Sequence, residues 1–363
     1  MEEFIARRKS RTIRVGNLSM GGDSFISVQS MTNADPHRYD ETLAQVKALH
    51  AAGCDIVRLA VPDMASVKTV SQLKSDLPTV PLVADIHFDY KLALACVEAG
   101  VDKIRINPGN IGGEERVRAV AEACRKRNIP IRIGVNSGSL EKDILAHYGS
   151  PTPEALVESA LYHAGLLEKF DFHDIAISIK ASNVPDMIAA NRILARETTY
   201  PIHLGVTEAG SERMGTVKSA VGIGTLLAEG IGDTIRVSLT ADPAKEVAVA
   251  KSILASLGLE KTRGMDIVSC PTCGRTKIDL IPLLQQFEEE AERLGLTSFP
   301  VKVAFMGCIV NGPGEAREAD IGVAGGLGDG VIFRRGVPME RVKAEEIVPT
   351  LLGEIIKMKD GQA

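Results

Sequence analysis

Between Ser24 and Leu257, short apolar runs rich in β-branched residues take turns with longer stretches in which apolar residues recur every three or four positions. The first pattern belongs to strands buried between layers, the second to helices lying on them. Eight strands are predicted, over Phe25 to Met31, Asp55 to Val61, Pro81 to His87, Lys103 to Asn107, Ile129 to Val135, Asp174 to Lys180, Ile202 to Thr207 and Thr234 to Leu239. Helices are predicted between them, among others at Asp40 to Ala52, Tyr90 to Ala99, Glu114 to Arg127, Pro153 to Lys169 and Ser211 to Ala228. Gly53, Gly100 and Gly230 stand just after such stretches, where the left-handed residue that ends a helix is most often glycine. This regular alternation predicts an α/β fold, a closed (β/α)8 barrel of the TIM type, in preference to an open doubly wound sheet. No strand is followed by G-x-G-x-x-G and no G-x-x-x-x-G-K-[ST] occurs, so the nucleotide fingerprints of the open sheet are missing.

After Leu257 the rhythm changes. A short polar segment, Gly258 to Gly264, leads to a strand at Asp266 to Ser269, a long helix at Thr276 to Leu294 and a strand at Val301 to Phe305. A Gly-rich stretch from Asn311 to Gly330, a strand at Val331 to Arg335 and a helix at about Glu345 to Met358 complete a small α+β domain. The expected division is a barrel over residues 1–260 and a second domain over 261–363.

Composition narrows the function. Of 363 residues 45% are hydrophobic, and 42 Lys and Arg stand against 47 Asp and Glu, a net charge of −5. An acidic balance argues against a surface made to coat nucleic acid, so any polyanion site must be concentrated. No apolar run is long enough to span a bilayer and the first residues lack a hydrophobic signal region, so no membrane partner and a cytoplasmic location are expected.

In a barrel of this kind the chemistry sits at the carboxyl ends of the strands. There this chain places Arg58, Asp85 with His87, Arg105 with Asn107, Arg132 followed by Asn136, Ser178 with Lys180, Glu208, and Arg236 with Ser238. Residues two apart on a strand share a face, so these pairs point together, into the barrel interior. Five cations converging in a low-dielectric interior need anionic partners, and the internal carboxylates expected at that level are Asp85 and Glu208. The surplus positive charge predicts a substrate carrying several negative charges, most plausibly a diphosphate. Glu208 either starts the next helix or, facing Lys180, serves as a general acid or base.

Of six cysteines, Cys54, Cys96 and Cys124 fall in or near the apolar stripes of barrel helices and read as small buried hydrophobes. Cys270, Cys273 and Cys308 occur in turn-rich segments, the first two as C-x-x-C. That spacing is shared by zinc ribbons, redox disulfides and iron-sulfur sites. The last histidine is His203 and the second domain has no fourth cysteine, so an all-Cys or Cys/His zinc site cannot close there. Three thiolates with one position left for an oxygen ligand suit a [4Fe-4S] cluster with a substrate-accessible iron, and Glu315 is the candidate fourth ligand.

Several segments together carry a resemblance. They are Val28-Gln-Ser-Met-Thr-Asn33, Asp85-Ile-His-Phe-Asp-Tyr90, Lys103-Ile-Arg-Ile-Asn-Pro-Gly-Asn110, Ile131-Arg-Ile-Gly-Val-Asn136, Ser178-Ile-Lys-Ala-Ser182, His203-Leu-Gly-Val-Thr-Glu208, Cys270-Pro-Thr-Cys-Gly-Arg275 and Asn311-Gly-Pro-Gly-Glu315. Over nearly its whole length the chain resembles the 4-hydroxy-3-methylbut-2-enyl diphosphate synthase family of the methylerythritol phosphate route to isoprenoids. Cys270 follows Leu257 by only 13 positions, as in the shorter, two-domain bacterial form.

The resemblance implies reductive opening of 2-C-methyl-D-erythritol 2,4-cyclodiphosphate to the linear allylic diphosphate, with two electrons delivered one at a time through a [4Fe-4S] cluster. It implies substrate-binding roles for Arg58, Arg105, Arg132, Asn136, Ser178, Lys180, Arg236, Ser238 and Asn311, and catalytic roles for Asp85, His87, Asn107 and Glu208. Cys270, Cys273, Cys308 and Glu315 match the cluster ligands. A flavodoxin or ferredoxin donor is implied, as is a head-to-tail homodimer. The competing readings are a non-redox barrel lyase or transferase with a structural zinc, and a zinc-ribbon-like module for protein or RNA partners.

Overall fold

Apolar strand faces that alternate with a polar inner face can satisfy both only by curling the sheet around the polar side and covering its outside with helices. The computed structural model, which describes residues 5–107, 110, 112–308 and 316–361, does this. The chain forms two units, Met1–Lys261 and Thr262–Ala363.

The first unit opens with a hairpin of β1 (Ile13–Val15) and β2 (Leu18–Met20). The barrel strands follow as β3 (Ser27–Met31), β4 (Ile56–Ala60), β5 (Leu82–Asp85), β6 (Lys103–Ile106), β7 (Ile131–Asn136), β8 (Ile175–Lys180), β9 (His203–Leu204) and β10 (Thr234–Ile235). Their order is β8-β7-β6-β5-β4-β3-β10-β9, with every neighbour parallel. The ring closes where Ile177 of β8 bridges Ile202 in parallel, just before β9. Nine helices of the described residues alternate with these strands: α1 (Tyr39–Ala51), α2 (Met64–Asp76), α3 (Tyr90–Glu98), α4 (Glu114–Lys126), α5 (Lys142–Tyr148), α6 (Pro153–Glu168), α7 (Val184–Glu197), α8 (Glu212–Ala228) and α9 (Pro243–Ser256).

All eight predicted strands form, but β9 and β10 are far shorter than their apolar runs. The cause is local. A Cβ at Gly205 would lie 2.7 Å from the Arg236 carbonyl, so the two chains approach too closely there for ordinary pleated pairing. Gly53, Gly100 and Gly230 adopt φ of +92°, +82° and +76° after α1, α3 and α8, as the helix stops predicted.

Ile104, Ile106, Ile131, Ile133, Ile177 and Ile179 face outward into one continuous core with the helices. The hairpin, which the apolar pattern did not single out, packs Ile13, Val15 and Met20 against Ile56, Val83 and Ala176. Those three barrel residues lie toward the amino ends of their strands, so the hairpin stops that end of the barrel with an apolar plug.

In the second unit β11 (Asp266–Ser269), α10 (Leu280–Arg293), β12 (Lys302–Met306), β13 (Ile321–Gly325), β14 (Asp329–Arg334), β15 (Val337–Lys343) and α11 (Ile347–Lys359) build a sheet ordered β11-β12-β13-β14-β15. The first three strands run parallel and the last two pairings are antiparallel. Helix α10 begins at Leu280 rather than Thr276, because Thr276 and Lys277 bond instead to the Cys273 and Gly307 carbonyls. The Gly-rich stretch contains β13, Ile321–Gly325, which the sequence reading did not assign. A Cβ at Gly322 would lie 2.4 Å from Phe333, so that glycine makes room for a cross-strand ring. Strand β15, mostly exposed, lacks the apolar alternation that would have revealed it. Among the described residues no helix is long and apolar enough to cross a membrane.

Candidate active site

Strand register brings the predicted cations into neighbouring rows. Asp85 pairs with Arg105, Arg105 with Arg132, Gly134 with Ser178 and Asn136 with Lys180. Asp85, Arg105, Asn107, Arg132, Ser178 and Lys180 are buried, and Arg58, Asn136, Arg236 and Ser238 are half-buried.

Asp85 is the hub. Its Oδ2 lies 3.2 Å from Arg58 Nη2 and 3.2 Å from His87 Nε2, while its Oδ1 accepts from Arg105 Nη1 at 3.2 Å. Arg105 also donates to the Gly134 carbonyl at 3.3 Å, and Arg132 donates to Gln29 Oε1 at 3.2 Å. On the other side Arg236 pairs with Glu246, Nε to Oε2 at 3.4 Å, and Ser30 Oγ donates to the same carboxylate oxygen at 2.8 Å. Met31 Sδ sits between the two guanidinium groups, 3.1 Å from Arg58 Nε and 3.7 Å from Arg236 Nη1. The Lys180 side chain has no hydrogen-bond or ion-pair partner among the described residues.

The electrostatics follow from this arrangement. Burial alone pushes the Asp85 carboxyl up, but Arg58, the His87 hydrogen bond and Arg105 outweigh it and hold the group well below the usual carboxylate range. Burial brings Arg58 down to about 10 despite Asp85, with Arg236 and Arg105 adding repulsion. Arg132 and Lys180 are each lowered by burial first and by neighbouring cations second. Two carboxylates, Asp85 and Glu246, therefore face Arg58, Arg105, Arg132, Lys180 and Arg236. The unbalanced charge is stabilised by a ligand bringing several negative oxygens, to which Arg offers forked donors.

The second internal carboxylate is thus Glu246 and not Glu208. Glu246 comes from the first turn of α9, outside the strand pattern, and only closure of the barrel brings it to Arg236. Glu208 is exposed, and among the described residues it forms no hydrogen bond or ion pair, so Lys180 does not hold it. Its φ of +50° is a left-handed backbone that a non-glycine residue rarely takes, and such strain collects at functional turns. His87 is also exposed, at the rim.

Cys54, Cys96 and Cys124 are buried, and burial pushes each thiol up to about 12, in keeping with inert core residues. Cys270 and Cys308 leave the carboxyl ends of β11 and β12, neighbouring parallel strands in which Ser269 pairs with Phe305. The Gly307 amide donates to Cys270 Sγ at 3.2 Å, tying the two segments together. Thr272, at φ +62°, turns the chain between Cys270 and Cys273, and Cys273 N donates to Thr276 Oγ1 at 2.9 Å. Hydrogen bonds from Arg275 lower the exposed Cys273 thiol, favouring the thiolate that metals bind.

None of the three thiols is in a disulfide. Among the described residues no three His, Cys, Asp or Glu side chains are placed to hold one metal ion. Three soft thiol donors in two turn-rich segments are a set that an iron-sulfur group takes by its chemistry. Asn311 and Glu315 lie outside the described residues.

Comparison with known proteins gives a consistent answer. Residues 10–251 match the model of the GcpE TIM-barrel domain, and residues 266–357 that of the GcpE protein C-terminal domain. A 4-hydroxy-3-methylbut-2-en-1-yl diphosphate synthase (flavodoxin) of Clostridium perfringens is 58% identical over 346 residues, covering 95% of this chain and 98% of the relative. A protein of the same name from Geobacillus thermodenitrificans is 52% identical, covering 99% and 95%. Among solved structures, a type I 3-dehydroquinate dehydratase from Clostridium difficile aligns with a TM-score of 0.52 at 16% identity, over 69% of this chain and 98% of that one. This last likeness shows the barrel fold alone.

Proposed function

The chain belongs to the GcpE family, and on that premise we propose that it is a 4-hydroxy-3-methylbut-2-en-1-yl diphosphate synthase drawing electrons from flavodoxin. Its substrate is 2-C-methyl-D-erythritol 2,4-cyclodiphosphate. The ring carbon–oxygen bond to phosphate breaks, two electrons and two protons enter, and one hydroxyl oxygen leaves as water. The observation that carries this reading is the convergence of Arg58, Arg105, Arg132, Lys180 and Arg236 on one barrel mouth, with Asp85 and Glu246 as the carboxylates against them among the described residues.

The chain's own residues bind and orient. Arg58, Arg105, Arg132, Lys180 and Arg236 hold the diphosphate oxygens, with Asn136, Ser178 and Ser238 donating beside them. Asp85 aims Arg58 and Arg105 and holds the His87 imidazole at 3.2 Å. Glu208, His87 and Asn107 serve the reacting carbons, with Glu208 as the proton donor to the departing oxygen. Cys270, Cys273 and Cys308, with Glu315 as the oxygen ligand, would hold a [4Fe-4S] cluster, and Asn311 would bind substrate. When bound, that cluster supplies electrons singly. Because the cations and the thiols belong to different units, a head-to-tail homodimer that covers one chain's barrel mouth with the other chain's cluster unit brings both to one substrate.

The test is iron, acid-labile sulfide and zinc per chain on protein purified without oxygen, followed by turnover of the cyclodiphosphate with reduced flavodoxin. About four irons and four sulfides are expected. About one zinc without sulfide, persisting through reconstitution, overturns the reductive reading and leaves a phosphate-binding barrel with a structural metal.

A further inference from the structure

Beneath the diphosphate cradle the barrel holds polar side chains that the reaction does not use. Lys103 opens β6 two positions before Arg105 and shares its inward face, while Ile104 and Ile106 point out to the helices. Lys103 is wholly buried, and its Nζ has no hydrogen-bond partner.

Among the described residues nothing inside the barrel is free to neutralise it. The charged and titratable groups there are Arg58 from β4, Asp85 from β5, Arg105 from β6 itself, Arg132 from β7, Lys180 from β8, His203 from β9 and Arg236 just past β10, with Glu246 reaching in from α9. Both carboxylates are engaged, Asp85 by Arg58, Arg105 and His87, and Glu246 by Arg236 and Ser30. His203 is wholly buried with neither ring nitrogen partnered, and Gln29 Nε2 and Ser27 Oγ also lack partners. In register with Lys103 on β5 stands Val83, which is apolar. A methionine here would fill similar space without an orphaned donor, so the lysine costs stability. Residues that break a local rule in this way are expected where function uses them.

We propose that Lys103 is a charge reserve for the cradle, neutral in the ligand-free barrel and protonated when a diphosphate docks on the cations above it. The inference rests on the reading of the barrel mouth as a diphosphate site. Burial first, then Arg132 and Arg58, hold the Lys103 amine well below the ordinary lysine value. A polyanion bound by those arginines cancels their repulsion and favours the ammonium. One proton passes from the buffer to Nζ on binding and returns on release. Lys103 does not touch the ligand. It is a positioning residue that acts through the field at the cradle.

The experiment is calorimetric titration of inorganic pyrophosphate into the full chain, at mildly alkaline pH in two buffers of different ionisation enthalpy. The proteins compared are wild type and Lys103→Met, each also melted thermally, with Lys103→Gln as a second variant should the first not fold. Lys103→Met is expected to melt at or above the wild-type temperature, to take up about one proton fewer per pyrophosphate, and to bind about ten-fold more weakly. Pyrophosphate binding with unchanged proton uptake overturns the charge reserve and leaves the cradle standing. Failure of the wild type to bind pyrophosphate overturns the cradle and the charge reserve together.

Discussion

At the scale of single residues, Asp85 and Glu208 are both acids near the mouth and sit in opposite surroundings. Asp85 is a buried anion serving three partners, so Asp85→Asn leaves Arg58 and Arg105 without a counter-charge. Breaking one side of a buried pair costs about 3 kcal/mol. Urea unfolding should read that loss, and saturating pyrophosphate should restore part of it by replacing the missing charge. Glu208 is exposed, so Glu208→Gln should leave the unfolding curve and pyrophosphate affinity unchanged while turnover collapses. Near-normal turnover removes Glu208 from the chemistry. His203 carries a pH prediction. Burial, and then the cations around it, Arg132 first, lower its folded value well below that of the unfolded chain. Its contribution is therefore complete above the unfolded value of about 6.5 and is lost as pH falls below it, by about 1 kcal/mol in the first unit. In His203→Leu that part of the acid slope should vanish from unfolding free energies measured across the same range.

At the scale of elements, the barrel strands work as a positioning frame, and two glycines mark where the frame is tightest. A Cβ at Gly134 would lie 2.4 Å from Arg105 Nε, and one at Gly205 would lie 2.9 Å from Lys180 Nζ. The absent side chains leave space for the cations of the adjacent strands. Gly134→Ala must push the Arg105 guanidinium off Asp85, and pyrophosphate affinity should fall about ten-fold with little change in helix content. Unchanged affinity would show that Arg105 does not need its present position. The elements themselves were largely readable in advance, because β-branched runs and helical spacing are local properties. The exceptions have tertiary causes. Strands β9 and β10 end early at the Gly205 approach, and β13 hides in a glycine-rich stretch because Gly322 accommodates Phe333.

At the scale of the whole molecule, the proposed reading assigns binding to a cation-lined barrel and electron supply to a thiol-bearing sheet unit. The proposed head-to-tail homodimer predicts that activity tracks association. Sedimentation at assay concentration should give a dimer, and dilution below its dissociation constant should lower specific activity. A monomer with full turnover would exclude the shared site. Mixing a Lys180→Met chain with a Cys270→Ser chain extends the test. Each is inactive alone, and heterodimers should regain one complete site, so activity should return on mixing.

The sequence alone determined the eight-fold alternation, the second unit, the inward cations and the cysteine trio, since each is set by periodicity, side-chain chemistry or spacing along the chain. The internal charge balance was decided only by the tertiary structure. Glu246 lies in a helix, outside any strand pattern, yet meets Arg236 once the barrel closes. Lys103, on the same face as Arg105 by simple alternation, becomes a buried and unpaired amine because, among the described residues, the surrounding strands bring no free carboxylate to it. Periodicity tells which way a side chain faces. Burial and counter-ions depend on what every other strand contributes to the same enclosed space.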